Sequence, residues 1–95
     1  MLVELIEIKQ NKKGGYFLSN IYVNTQQIVF LSENKNMKSM LQEGKINLGL
    51  NQTFTNFTNI RMNGRDSAFE ITVVGDPGLI EQKIFNKSQK QLLRG

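Results

Sequence analysis

The chain reads as a small, mainly β domain of the α+β type. We expect a five-strand, strongly bent antiparallel sheet or small open barrel, with a helical insertion and a C-terminal helix. Three observations predict this. Five segments rich in β-branched and aromatic residues are separated by turn signals. A strong helix start occurs late, at Asp76-Pro77. The chain has 95 residues and no cysteine, so it forms one domain whose stability must come from a packed core or from a core completed by a partner subunit.

The first strand is expected over residues 2–9. Leu2, Ile6 and Ile8 share one face, and Val3 and Leu5 the other. Both faces are apolar, which places the strand in the interior of a sheet or at a subunit contact. Asn11-Lys12-Lys13-Gly14-Gly15 is a turn. The second strand runs over 16–23, making a hairpin with the first. Ile28-Val29-Phe30-Leu31 is a short third strand without polar alternation, expected to be buried on both faces.

Residues 33–52 read as an insertion between strands. Ser32 or Asn34 can cap a short helix with Met37, Met40 and Leu41 on one side, and Gly44 ends it. Ile46, Leu48 and Leu50 can then cover the sheet. The mixed composition of 33–50 predicts the most exposed and mobile part of the chain. The fourth strand is expected over 53–62, with Phe54, Ile60 and Met62 on one face. Asn63-Gly64 is the strongest short-range hairpin signal and leads into a fifth strand over 67–74. Asp76 then caps a helix whose Leu79, Ile80 and Ile84 dock on the sheet. A last short turn is expected from Ser88, inside a basic tail over 86–95.

Composition excludes several chemistries. There is no histidine and no cysteine, so zinc–thiolate sites, cysteine nucleophiles and serine–histidine triads are ruled out. Glu4 and Glu7 fall on opposite faces of a strand and cannot act as a pair. Gly75-Asp76-Pro77-Gly78 lacks the phosphate-loop patterns, and Asp76 would repel an anion there. The reading is of a protein that is not an enzyme, with no catalytic, metal or cofactor-binding residue and no cofactor.

The net charge is +4. Residues 1–82 balance, and the excess comes from Lys83, Lys87, Lys90 and Arg94. Those cations suit the negative end of a helix dipole, but they can also meet phosphates or an acidic protein. The residues placed to contact a nucleic acid or an acidic partner are Lys12, Lys13, Arg61, Arg65, Lys87, Lys90 and Arg94. Tyr16, Phe17 and Tyr22 near Lys12 and Lys13 could add stacking surface, although strand aromatics usually serve the core. At the second tip, Asp66 and Glu70 lie close enough to neutralise Arg61 and Arg65. The sequons at Asn51, Asn56 and Asn86 read as chance in an asparagine-rich chain. The N-terminal segment carries acids in its apolar run and does not read as a signal peptide, and no apolar run is long enough to span a membrane. The expected location is the cytoplasm.

Some segments carry a resemblance. Ile21-Tyr22-Val23-Asn24 with Ile28-Val29, Phe57-Thr58-Asn59-Ile60, Ile71-Thr72-Val73-Val74-Gly75-Asp76-Pro77 and Leu92-Leu93-Arg94-Gly95 resemble small proteins of unknown function from T4-like phages of marine cyanobacteria. The asparagine and lysine content fits an AT-rich genome. A fainter likeness, in the strand–Asn–Ile–Val–strand–helix rhythm, is to the small flagellar protein FlbD. The phage resemblance implies a host-cell cytoplasmic location and brings no activity or site residue with it.

Two functions follow from these residues. The first is a non-enzymatic interaction protein, a phage accessory protein that binds itself, most simply as a twofold dimer, and a host or phage protein. The alternative is a small nucleic-acid-binding module that uses the basic tail and the hairpin tips. No membrane partner is expected.

Overall fold

A computed structural model describes the backbone of residues 1–94 and the side chains of residues 1–86. Five strands form one antiparallel sheet: β1 Leu2–Gln10, β2 Tyr16–Asn24, β3 Ile28–Glu33, β4 Phe57–Asn63 and β5 Ala68–Val74. Helix α1, Lys35–Gln42, lies between β3 and β4, and α2, Pro77–Arg94, follows β5. The strand order is β2-β1-β5-β4-β3.

That order forces the sheet to curl. In a flat five-strand sheet the outer strands lie about 19 Å apart. Here the outer strands β2 and β3 run parallel, so β2 would also end at the opposite end from where β3 begins. Only the 3-10 turn Thr25–Gln27 separates them. Four Cα steps reach at most about 14 Å even when extended. The sheet therefore bends until its two rims meet at this turn, as the sequence predicts for a small open barrel.

The curl separates two faces. The concave face collects Val3, Leu5, Val23, Ile60, Met62 and Val73, with Ile28 and Leu31 packed beside them, so all five strands contribute. Ile80 and Ile84 of α2 close this core. The convex face carries Ile8 and Phe57 with Tyr16, Leu18 and Val74, and is covered by Leu41 and Ile46 with Met37, Met40, Leu48 and Leu50. β1 lies between β2 and β5 and serves both clusters, which explains its two apolar faces.

The helix starts are where the sequence placed them. Asn34 caps α1: its Oδ1 accepts from Met37 N at 2.9 Å. The same residue donates its backbone N–H to Phe57 O and its Nδ2 to Asn59 Oδ1, each at 2.9 Å, pinning the helix start to β4. Thr72 Oγ1 also donates to Asn59 Oδ1, at 2.8 Å. Gly44, at φ +75°, ends the helix, and Lys45 N reaches back to Met40 O at 2.9 Å. Asp76 caps α2 by accepting from Leu79 N at 2.8 Å, with Pro77 in the first helical position.

Four expectations need correction. β3 is a rim strand rather than a strand buried on both faces. A bulge interrupts it between Ile28 and Phe30, and Val29 and Phe30 stay exposed because neither core cluster covers them. β4 begins at Phe57, not 53: Asn51 Oδ1 accepts from Thr53 N and Phe54 N, each at 2.9 Å, so a local turn wins over the strand and turns Phe54 outward. The connection between β3 and β4 runs over 34–56, beyond the expected 33–52. Within it Leu41 and Ile46 are core residues, in keeping with the apolar helix side and sheet cover that the sequence implies. Finally, α2 continues through Arg94, so no separate turn from Ser88 forms and the basic residues of the tail lie on the helix. From Leu79 to Arg94 there is no proline or glycine, and lysine, glutamine and leucine favour helix.

The β4–β5 hairpin closes on the loop 64–67, where Gly64 N donates to Ser67 O at 3.0 Å. A Cβ on Gly64 would lie 2.5 Å from Ser67 O, so the close approach of the two chains requires glycine here.

Candidate interaction surface

The domain is well packed on both faces of its curled sheet, yet several large apolar side chains remain outside. Phe54, at the tip of the Asn51 turn, is 79% exposed. On the convex face the α1 cover stops short of Leu2, Ile6 and Tyr22, all exposed, with Tyr22 at 66%. Val29 and Phe30 are exposed on β3, and Leu79 and Phe85 on α2. Single exposed apolar residues are ordinary. Here they recur on or beside the rim strands, where main-chain groups are also unpaired on one side.

The two rims differ. β3 has six residues, is interrupted by its bulge and ends on Glu33. β2 has nine residues, pairs with β1 in unbroken register from Tyr16↔Gln10 to Asn24↔Leu2, and carries no charge. Among the described residues no main-chain hydrogen bond reaches β2 from an element other than β1. Glu4, one strand in, accepts two long hydrogen bonds at its Oε2, from Tyr22 OH at 3.4 Å and Asn20 Nδ2 at 3.5 Å. Glu4 is thereby held over the outward-facing half of β2.

The basic residues singled out by the sequence are partly gathered. β1 and β4 run in the same direction, so the turns that follow them lie at one end of the sheet. Lys12, Lys13 and Arg65, all exposed, sit in those turns. Arg61 does not join them: it lies within β4, and its Nη1 meets Glu70 Oε2 at 3.4 Å. Both partners are largely exposed, so the pair adds little stability, but it uses the charge. Lys87, Lys90 and Arg94 belong to α2, and their side chains lie outside the described residues. The aromatic surface suggested near Lys12 and Lys13 does not form. Phe17 pairs with Lys9 on one face, Tyr16 and Tyr22 lie on the other, and Tyr16 packs under the α1 cover. The six-residue step from Tyr16 to Tyr22 separates them by about 20 Å along the strand.

Among the described residues no three acidic side chains cluster closely enough to hold a metal ion, and no helix is long and apolar enough to cross a membrane. Glu4 and Glu7 sit on opposite faces, Glu4 beside Tyr22 and Glu7 beside Ser19. The asparagines of two sequons have structural roles: Asn51 holds the turn before Phe54, and Asn56 Oδ1 accepts from Lys38 Nζ.

Comparison of the chain with protein-family models, curated proteins and solved structures finds no significant match in any of the three.

Sequence reasoning missed the β2 rim. Its signal was present, as nine consecutive residues between two turns without a charge. Which strands form the rims depends on strand order, which local pattern does not encode.

Proposed function

We propose that this chain is a non-enzymatic interaction protein that assembles with itself and then engages a further protein. The observation that carries the reading is the set of large apolar side chains left exposed around the rims of a domain whose two cores are otherwise closed. Such surface normally marks an interface. The absence of histidine and cysteine from the sequence points the same way, because the usual neutral-pH base and nucleophile are missing. The resemblance to small cyanobacterial phage proteins makes a host or phage protein in the infected-cell cytoplasm the further partner. The test of self-assembly is sedimentation velocity from nanomolar to micromolar concentration. A dimer that persists at raised salt is the expected result, since apolar burial is not screened. A monomer throughout the range refutes self-assembly.

A second reading is favoured by one observation, the convergence of Lys12, Lys13 and Arg65 at one end of the sheet. It assigns that end to nucleic-acid phosphates. A gel shift with single- and double-stranded DNA and RNA tests it. Binding that falls steeply between 50 and 200 mM salt is its signature, as phosphate contacts release counterions (roughly 0.7–0.9 per contact). No shift at low salt removes it.

A further inference from the structure

The self-assembly reading leaves open which surface is used, and β2 answers it. We infer that two copies pair through their β2 strands, antiparallel and about a twofold axis at Asn20, joining the two sheets into one of ten strands. This inference rests on the self-assembly reading and makes it specific.

Three observations carry it. First, β2 is the long, regular rim. A strand edge of this kind is a template for another strand, and proteins that avoid pairing blunt it with charge, proline or a bulge. Tyr16–Asn24 has none of these, whereas β3 has a bulge and a terminal glutamate.

Second, β2 is complementary to itself. With the axis at Asn20, Ser19 faces the partner's Ile21, Leu18 the partner's Tyr22, and Phe17 the partner's Val23. Leu18 and Tyr22 lie on the convex face, and Phe17 and Val23 on the concave face, so each pair meets on the same side of the joined sheet. Tyr22, 66% exposed, then gains an aliphatic neighbour in the partner's Leu18, whereas Phe17 meets only the edge of the partner's Val23, which is sealed in its own core. Aromatic–aliphatic pairs of this kind are the favourable cross-strand contacts.

Third, nothing charged opposes itself. No residue of β2 is an aspartate, glutamate, lysine or arginine. The two Glu4 residues, each one strand in from the rim and level with Tyr22, would stand about 20 Å apart, three strand spacings across and four residues along. That exceeds a Debye length of about 8 Å at physiological salt, so their repulsion is screened. A second copy presents the same uncharged edge, so it pairs without burying an unpaired charge, and its Leu18 and Tyr22 complement each other across the axis.

The natural absence of cysteine permits a direct test. In an antiparallel pair the Cα atoms of facing residues lie about 4.5 or 5.5 Å apart, and both spacings lie within a disulfide's reach. Asn20 is exposed, so Asn20→Cys leaves both cores untouched. Under mild oxidation Asn20→Cys should convert almost wholly to a disulfide-linked dimer. Lys13→Cys, in the turn far from the axis, and Val29→Cys, on the other rim, should remain unlinked. Asn20→Lys, which sets two ammonium groups against each other at the axis, should raise the dimer dissociation constant at least tenfold in sedimentation. Its melting curve, followed at concentrations where the wild type is monomeric, should be unchanged. A dimer in which Val29→Cys links and Asn20→Cys does not would overturn the β2 assignment and leave self-assembly standing. A dimer with Asn20→Cys unlinked, or unaffected by Asn20→Lys, would also overturn it. A wild type that stays monomeric defeats both.

Discussion

Leu79 and Ile80 are adjacent on α2, yet the structure gives them different roles. Ile80 is 0% exposed and closes the concave core, whereas Leu79 is 45% exposed. Ile80→Ala removes three carbon groups, worth about 2.4 kcal/mol of transfer free energy at about 0.8 kcal/mol each. The neighbours Val3, Leu5, Ile60 and Val73 lie on strands held by their own ladders, so the site can collapse only in part. A residual cavity of about 50 Å³ adds about 1 kcal/mol at about 24 cal/mol per Å³. The expected loss is therefore about 3–4 kcal/mol. Leu79→Ala, at half burial, should cost about 1 kcal/mol. Urea denaturation followed by circular dichroism reads both. With an m-value of about 1–3 kcal/mol/M, Ile80→Ala should lower the midpoint by about 1–4 M. Equal losses for the two variants, or a loss below about 1.5 kcal/mol for Ile80→Ala, would mean that α2 does not close the concave face through Ile80, and the two-sided core would have to be redrawn.

Three further substitutions probe other joints. Asp76→Ala removes the acceptor for Leu79 N and should cost about 1 kcal/mol, measured as a shift in urea midpoint at constant m-value. Leu41→Ala opens the convex cluster where Leu41 is 1% exposed; a loss of about 2–4 kcal/mol should lower the melting temperature by on the order of 10–20 °C, and an unshifted melt would show that α1 is not a cover. Gly64→Ala forces a methyl group toward Ser67 O and should destabilise by about 1–3 kcal/mol, whereas a variant as stable as wild type would refute the tight β4–β5 loop.

Much of this architecture is legible in the residues themselves. Period-two alternation marks β5, because a half-buried strand must turn apolar groups one way. Asn34 and Asp76 announce their helices because a side-chain oxygen there satisfies N–H groups that the helix leaves orphaned. Gly44 announces an end, since it takes a positive φ without strain. The two-faced apolar pattern of β1 matches its interior place between β2 and β5, although Leu2 and Ile6 on the convex face stay exposed. Local rules failed where a competing local bond or a distant neighbour decided. Asn51 captured the amides of Thr53 and Phe54 and delayed β4, although the intervening residues favour a strand. Val29 and Phe30 look like core residues, yet neither core cluster reaches them.

For the candidate surface the division is similar. Charge, uncharged runs and the missing histidine and cysteine were determined by sequence alone, and with them the chemistry that the chain can offer. Strand order was decided only by tertiary structure. Inserting β5 between β1 and β4 made β2 and β3 the rims, and the short Thr25–Gln27 connection then curled the sheet. Those long-range pairings set which apolar side chains close the concave core and which stay in water. They depend on contacts between residues far apart in the chain, so no window of neighbouring residues contains them. Tyr22 and Val23 show the result: consecutive β-formers of similar local appearance, one left exposed beside the open rim and the other sealed in the core.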